Sequence, residues 1–320
     1  MSAVFLLYEV FSANLALYRK EYSGRFVCPL CLRTFSRDQI RSDLSKAHII
    51  PRFLGGKDWT LSCKTCNNKV GTEIEGCEAE RANYSWALSG DGNETTRAEI
   101  WFRNEQQGGV IGPVQADMRA EECGEERRVQ LYAKPQGSNP AAWKLFNRMP
   151  SDGALAGQRY MEVRFRVTRS SKRANLTYVH AAYLLMFHQF GYEWVFTPGA
   201  ELIRKQIMSP DEPIILPLAP ALSGLPISDN ELGVLLAIEP ADFRSFVVVL
   251  PLIRGWPKRQ AVWMPLFGCP YEQPPQRNGV ELTAVRVPDH HQSLHERDSH
   301  MQGSRFVLDH FAYDAPQKAE

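Results

Sequence analysis

The chain has 320 residues, 44% of them hydrophobic and 23% charged, which supports a large core and excludes general disorder or a low-complexity fibre. The 37 Lys and Arg stand against 36 Asp and Glu, so no global basic excess points to a nucleic-acid polyanion. At about 100–200 residues per domain, the length suggests about two domains.

The charge is uneven. Residues 1–75 hold eleven Lys or Arg and seven Asp or Glu, whereas residues 76–130 hold six and eleven. The apolar stretch Val4 to Leu7 is broken by Glu9, and no run approaches the ~18–20 apolar residues of a membrane span. No positive segment precedes that stretch, so the expectation is a protein without a secretory signal, in the cytosol.

Taken in chain order, Phe5, Leu6, Val10, Leu15 and Leu17 predict a packing helix over residues 4–20. Residues 28–76 form a compact unit bounded by cysteines. Strands follow at Glu99–Phe102, Val129–Tyr132 and Met161–Val167, the last with period-two alternation. Breakers stand at Gly108-Gly109, at Lys134–Pro140 and at Ser151–Gly153. Asn175 is the expected cap of a long apolar helix through Tyr178, Ala181, Leu185 and Phe187, and Gly191 suits the position after its end. A further helix over about 199–208 precedes Pro210. Strands are then expected at Ile214–Leu218, Val234–Ile238, Phe246–Leu252, Ala261–Leu266 and Val280–Val287, with a turn at Gln273–Gly279. The fold class is α+β. The expected division is an N-terminal packing helix (1–25), a small zinc-stabilised module (26–90) and a larger mixed α+β domain (95–320).

Four of the seven cysteines stand in two CxxC pairs, Cys28/Cys31 and Cys63/Cys66, with thirty-one residues between the pairs. Each CxxC turn aims two sulfurs at one point, and two such turns complete a tetrahedral zinc site. Four sulfur ligands leave no open position, so that zinc is structural. Between the pairs stands Lys46-Ala47-His48-Ile49-Ile50-Pro51-Arg52-Phe53-Leu54-Gly55-Gly56-Lys57, and the second pair continues as Asn67-Asn68-Lys69-Val70-Gly71.

These motifs resemble the HNH endonucleases, ββα-metal nucleases, in the branch written CxxC…HIIPxxLGG…CxxCNNKxG. The resemblance covers about residues 26–76. It implies that His48, at the end of the first strand, is the general base that takes a proton from water. A neutral imidazole with an ordinary pKa near ~6.5 suits that task. It implies that Asn67, on the following helix, helps to hold one divalent ion, Mg²⁺ or Mn²⁺, which stabilises the phosphate and the leaving 3′ oxygen. DNA is the implied partner, and Arg52, Lys57 and Lys69 are the implied phosphate contacts. Proteins of this kind often act in defence against foreign DNA.

The sequence departs from the pattern at Ala47, where many members carry an acidic or histidine ligand, and the central Asn of the motif has no evident counterpart in Asp58–Ser62. On a continuous helix Glu73 and Glu75 lie about 9 and 12 Å beyond Asn67, too far to share its ion. Asp43 reaches His48 only if the hairpin folds it back. Ala47 therefore keeps open a second reading, a non-catalytic zinc-stabilised nucleic-acid-binding protein. A third is a nuclease subunit silent until a protein partner or ligand engages the C-terminal region. His290, His291, His295, His300 and His310 read as a polar surface segment. His180, His188, Trp143, Trp194 and Trp263 read as core or boundary residues.

Overall fold

The computed structural model describes residues 2–57, 59–89, 95–104, 109–123, 126–148, 159–164, 171–215, 221–223, 228, 231–252, 259–269, 280–287 and 304–310. Two compact units emerge: Met1–Glu78 together with Ser170–Glu320, and Ala79–Arg169. This division differs from the sequence boundaries at 25, 90 and 95, because the chain after residue 170 shares a core with the N-terminal segment.

In the first unit, α1 (Ala3–Tyr18) buries Tyr8, Phe11, Ser12 and Leu15, one stripe of a 3.6-residue period. The two-residue strands β1 (Phe26–Val27) and β2 (Thr34–Phe35) pair antiparallel on either side of the first cysteine pair. A short α2 (Ile40–Asp43) leads into β3 (Leu44–His48), which pairs antiparallel with β4 (Trp59–Cys63), placing His48 opposite Trp59. The chain then enters α3 (Lys64–Val70), passes through a π-helical turn at Gly71–Glu75 and continues as α4 (Gly76–Ser89). The order β3, β4, α3 is the ββα arrangement that the motifs imply.

The second unit is an antiparallel sheet. β5 (Thr96–Asn104), β6 (Gly109–Cys123), β7 (Glu126–Lys134) and β8 (Arg159–Arg164) lie in the order β7-β6-β5-β8. Ile100, Phe102, Val114 and Ala116 bury one face together with Ala142 of α5 (Pro140–Phe146). The alternate residues Glu99, Gln115 and Asp117 stay partly exposed, as a one-sided sheet requires.

The chain returns to the first unit with α6 (Ser171–Phe190), α7 (Tyr192–Val195) and α8 (Pro198–Met208). Residues 178–187 of α6 are all buried. A helix apolar on all sides must be enclosed. Phe187 stacks on Phe11 of α1 at 4.2 Å between ring centroids. Tyr183 donates a 2.7 Å hydrogen bond to the Pro29 carbonyl within the first cysteine turn. Gly191 has φ +61°, and a Cβ there would sit 2.6 Å from Asn14 Cγ, so only glycine fits. Thr197 caps α8 through the Ala200 N–H, with Pro198 at the first helical position. β9 (Ala221–Ser223), β10 (Gly233–Glu239), β11 (Ser245–Val249), β12 (Arg259–Met264), β13 (Val280–Arg286) and β14 (Ser304–His310) close a barrel in the order β10-β11-β12-β9-β14-β13. Among the described residues, no helix is long and apolar enough to cross a membrane.

Several local expectations are corrected. The long helix starts at Ser171, so Asn175 lies inside it rather than at its cap. Its polar first turn, Ser-Lys-Arg, gave no apolar signal. Ile214 and Ile215 are not in a strand. Their N–H groups donate to Gln206 Oε1 at 2.9 and 3.0 Å, so a side-chain amide takes the place of a ladder partner. β11 ends at Val249 and β12 at Met264, earlier than the apolar runs suggest. β6, α4, α5, β9 and β14 were not anticipated. Ser151–Gly153, Gln273–Gly279 and His290–His300 lie outside the described residues.

Candidate active site

The four paired cysteines converge. Their Sγ atoms all lie within 4.8 Å of one another, and Cys31 and Cys63 are 3.8 Å apart. A tetrahedron with ~2.3 Å metal–sulfur bonds has edges of about 3.8 Å. Backbone N–H groups support the sulfurs: Cys63 N–H points to Cys28 Sγ at 3.5 Å and Cys66 N–H to Cys63 Sγ at 3.4 Å. Cys63 thereby caps α3. The exposed Arg33 guanidinium donates to Cys31 at 3.5 Å and to Cys63 at 3.7 Å, opposing the negative charge of four thiolates.

Thiols this close cannot all ionise by themselves. Hydrogen bonding from Cys28 holds the Cys31 thiol far below its ordinary value, and the same contact with Cys28 lowers Cys63 to about 6. Cys28, through Cys31, and Cys66, through Cys28, are pushed up. A dication removes this conflict by letting all four bind as thiolates. The donor set, the spacing and the burial fit a structural zinc. Cys77 lies apart, its Sγ 3.6 Å from the Glu73 carbonyl.

The zinc cluster fixes the start of α3 against the β3–β4 hairpin. Asn67, in the second turn of α3, sends Nδ2 to the Lys46 carbonyl at 3.4 Å, two residues before His48. His48 is half-buried at the end of β3. Its Nδ1 is shut off from solvent with no hydrogen-bond partner, which leaves Nε2 on the open side. Asn67 thus reaches the middle of β3, and His48 stands two residues further along the same strand.

The acidic candidates are placed elsewhere. Asp43 accepts from Ser42 Oγ at 2.9 Å at the far end of β3, about 16 Å from His48 at ~3.3 Å per strand residue. Glu73 faces Lys69 at 3.9 Å, and Glu75 Oε1 lies 3.4 Å from Nδ1 of the buried His180. Ala47 is 1% exposed and belongs to the core, on the opposite face of β3 from His48. Among the described residues, the cysteine quartet is the one convergent group of three or more His, Cys, Asp and Glu. Asp58 lies outside them.

Of the expected phosphate contacts, Arg52 and Lys57 are exposed on the loop between β3 and β4. Lys69 is partly exposed, and its Nζ donates to the Met208 carbonyl at 2.8 Å. Trp194 and Trp263 are core residues at 0% and 3% exposure, and His180 is buried. Sequence reasoning missed the contact between Lys46 and Trp59. The Lys46 ammonium lies 3.8 Å from the Trp59 ring centroid, and in the sequence Lys46 is one of the eleven Lys and Arg of residues 1–75.

Residues 28–78 match the family model described as HNH endonuclease. The segment is of the HNH family. The match begins at the first zinc cysteine and ends at Glu78, so it spans both knuckles, the β3–β4 hairpin, α3 and the π-helical turn. No curated protein and no solved structure matches the chain.

Proposed function

We propose that the protein is a metal-dependent endonuclease that hydrolyses DNA phosphodiester bonds with its HNH segment. The observation that carries this reading is the half-exposed His48 at the end of a hairpin joined to α3 at the four-cysteine cluster, with the Asn67 amide bonded to the Lys46 carbonyl two residues before it. His48 acts as general base: Nε2, the solvent-facing nitrogen, takes a proton from water, the resulting hydroxide attacks the phosphorus, and the in-line P–O3′ bond breaks, the 3′ oxygen leaving to take a proton from solvent.

Asn67 Oδ1 is free of the bond made by Nδ2 and is the side-chain oxygen offered to a divalent ion. Mg²⁺ or Mn²⁺ there would supply Lewis-acid stabilisation of the charged phosphate. With Ala47 in the core, Asn67 is the expected side-chain ligand among the described residues, and phosphate and water would complete the shell of such an ion. A role in defence against foreign DNA is part of the same proposal.

The test is nicking or linearisation of supercoiled plasmid with Mg²⁺, Mn²⁺ or EDTA. Wild type cuts with metal, and His48→Ala does not, while its zinc content and fold are retained. Equal cutting by His48→Ala refutes the mechanism. The buried Ala47 favours one rival, a non-catalytic zinc-stabilised nucleic-acid-binding protein, which binds DNA but leaves it uncut whichever divalent ion is supplied. Cutting that appears only with a partner or ligand on the C-terminal region identifies a silent subunit instead.

A further inference from the structure

The cations of the HNH segment are not equivalent. Lys69 is committed to the Met208 carbonyl and faces Glu73. Lys46 is exposed and makes no ion pair among the described residues. It stands two residues before His48 on β3, and strand alternation puts both side chains on one face. Trp59, directly opposite His48, shares that face. The cross-strand partner of Lys46 is Leu61, not Trp59. The Lys46 ammonium lies 3.8 Å from the Trp59 ring centroid, a diagonal contact across the hairpin with the residue that stands opposite His48. The Asn67 amide fixes the backbone carbonyl at the root of that side chain.

We propose that Lys46 is the phosphate-contacting cation of the HNH site, with Trp59 as the positioning residue that holds its ammonium beside His48. The ligand is a nucleic-acid phosphodiester, and the inference rests on the nuclease reading of this face. An ammonium has three donors and no acceptor, so one face can stay on the indole while a proton points to a phosphate oxygen. A cation held on the ring opposite His48 stands on the face of the hairpin that carries the base.

The experiment measures binding of a short DNA duplex to zinc-loaded protein with the divalent ion withheld, across salt from about 50 to about 200 mM. Each phosphate contact contributes about 0.9 to the slope of log K against log salt. Lys46→Met flattens the slope by about that amount, Lys46→Arg keeps it, and Lys69→Met also keeps it. Trp59→Leu weakens low-salt binding about threefold, and Trp59→Phe restores it, since an aromatic face is what the ammonium needs. Zinc content confirms that each variant is folded. A wild-type slope in Lys46→Met, in a protein whose wild type binds and cuts, overturns the role of Lys46 and leaves the nuclease reading standing. A wild type that neither binds nor cuts DNA overturns the nuclease reading, and the ligand of Lys46 with it.

Discussion

Tyr192 ties the zinc knuckle to a part of the chain 165 residues away, and Tyr192→Phe measures how much that tie is worth. The Tyr192 side chain is fully buried. Its hydroxyl donates to the Val27 carbonyl and accepts from the Val27 N–H at 3.0 Å, satisfying both backbone groups of the residue before Cys28. Removing the oxygen deletes two hydrogen bonds worth about 1 kcal/mol each. It also leaves a buried N–H and C=O unpaired, at about 1–3 kcal/mol for each unsatisfied group when no water enters. With partial relaxation, the expected loss is roughly 2–4 kcal/mol. Phe keeps the ring contact with Phe187, at 5.4 Å between centroids, so packing contributes little to the change. Denaturant unfolding of the zinc-loaded protein gives the loss directly, and competition with a chelator reports whether zinc affinity falls with it. A change below about 0.5 kcal/mol would show that the knuckle is held by its metal alone, refuting the account of a shared core.

The cysteines divide cleanly: Cys66→Ser loses stoichiometric zinc and the ordered HNH segment, read by metal analysis and circular dichroism, whereas Cys77→Ser retains both. The two glycines of the Leu-Gly-Gly motif fail for different reasons. Gly55→Ala costs about 1–2 kcal/mol because φ is +89°. Gly56→Ala costs about 3 kcal/mol or more because its Cβ would lie 2.6 Å from the Ile50 carbonyl carbon and closer still to the oxygen. Thermal unfolding in the order wild type, Gly55→Ala, Gly56→Ala checks this, and a reversed order contradicts the loop geometry. Arg33→Ala weakens zinc binding by about tenfold at most, measured by chelator competition, since the guanidinium touches two ligand sulfurs from the solvent side. A fragment of residues 1–90 exposes the faces of Phe11 and Cys28 that α6 and α7 cover, and it is expected to aggregate or remain unfolded even with zinc.

The local chemistry was legible in the sequence because it is written at short range. A CxxC turn points two sulfurs the same way wherever it occurs, and both pairs meet as expected. The alternation in β8 and the helix over 198–208 announce themselves within one element. The candidates His48 and Asn67 were named from motif order, and β3, β4 and α3 follow one another directly in the chain.

Other features were decided only in three dimensions, where partners far apart in the chain leave no local trace. The core that includes Cys28 and Phe11 is completed by α6, so the N-terminal segment is no separate domain. Lys69, expected as a phosphate contact from its motif neighbours, also donates to a carbonyl 139 residues away, and the Lys46 ammonium lies over an indole on the neighbouring strand. Ala47 lacks a ligand atom by sequence, but only the pleat shows that its position faces the core, where a charged side chain would be costly. Residue type fixes which chemistry is available. Burial and direction, set by the whole chain, decide which of those groups can use it.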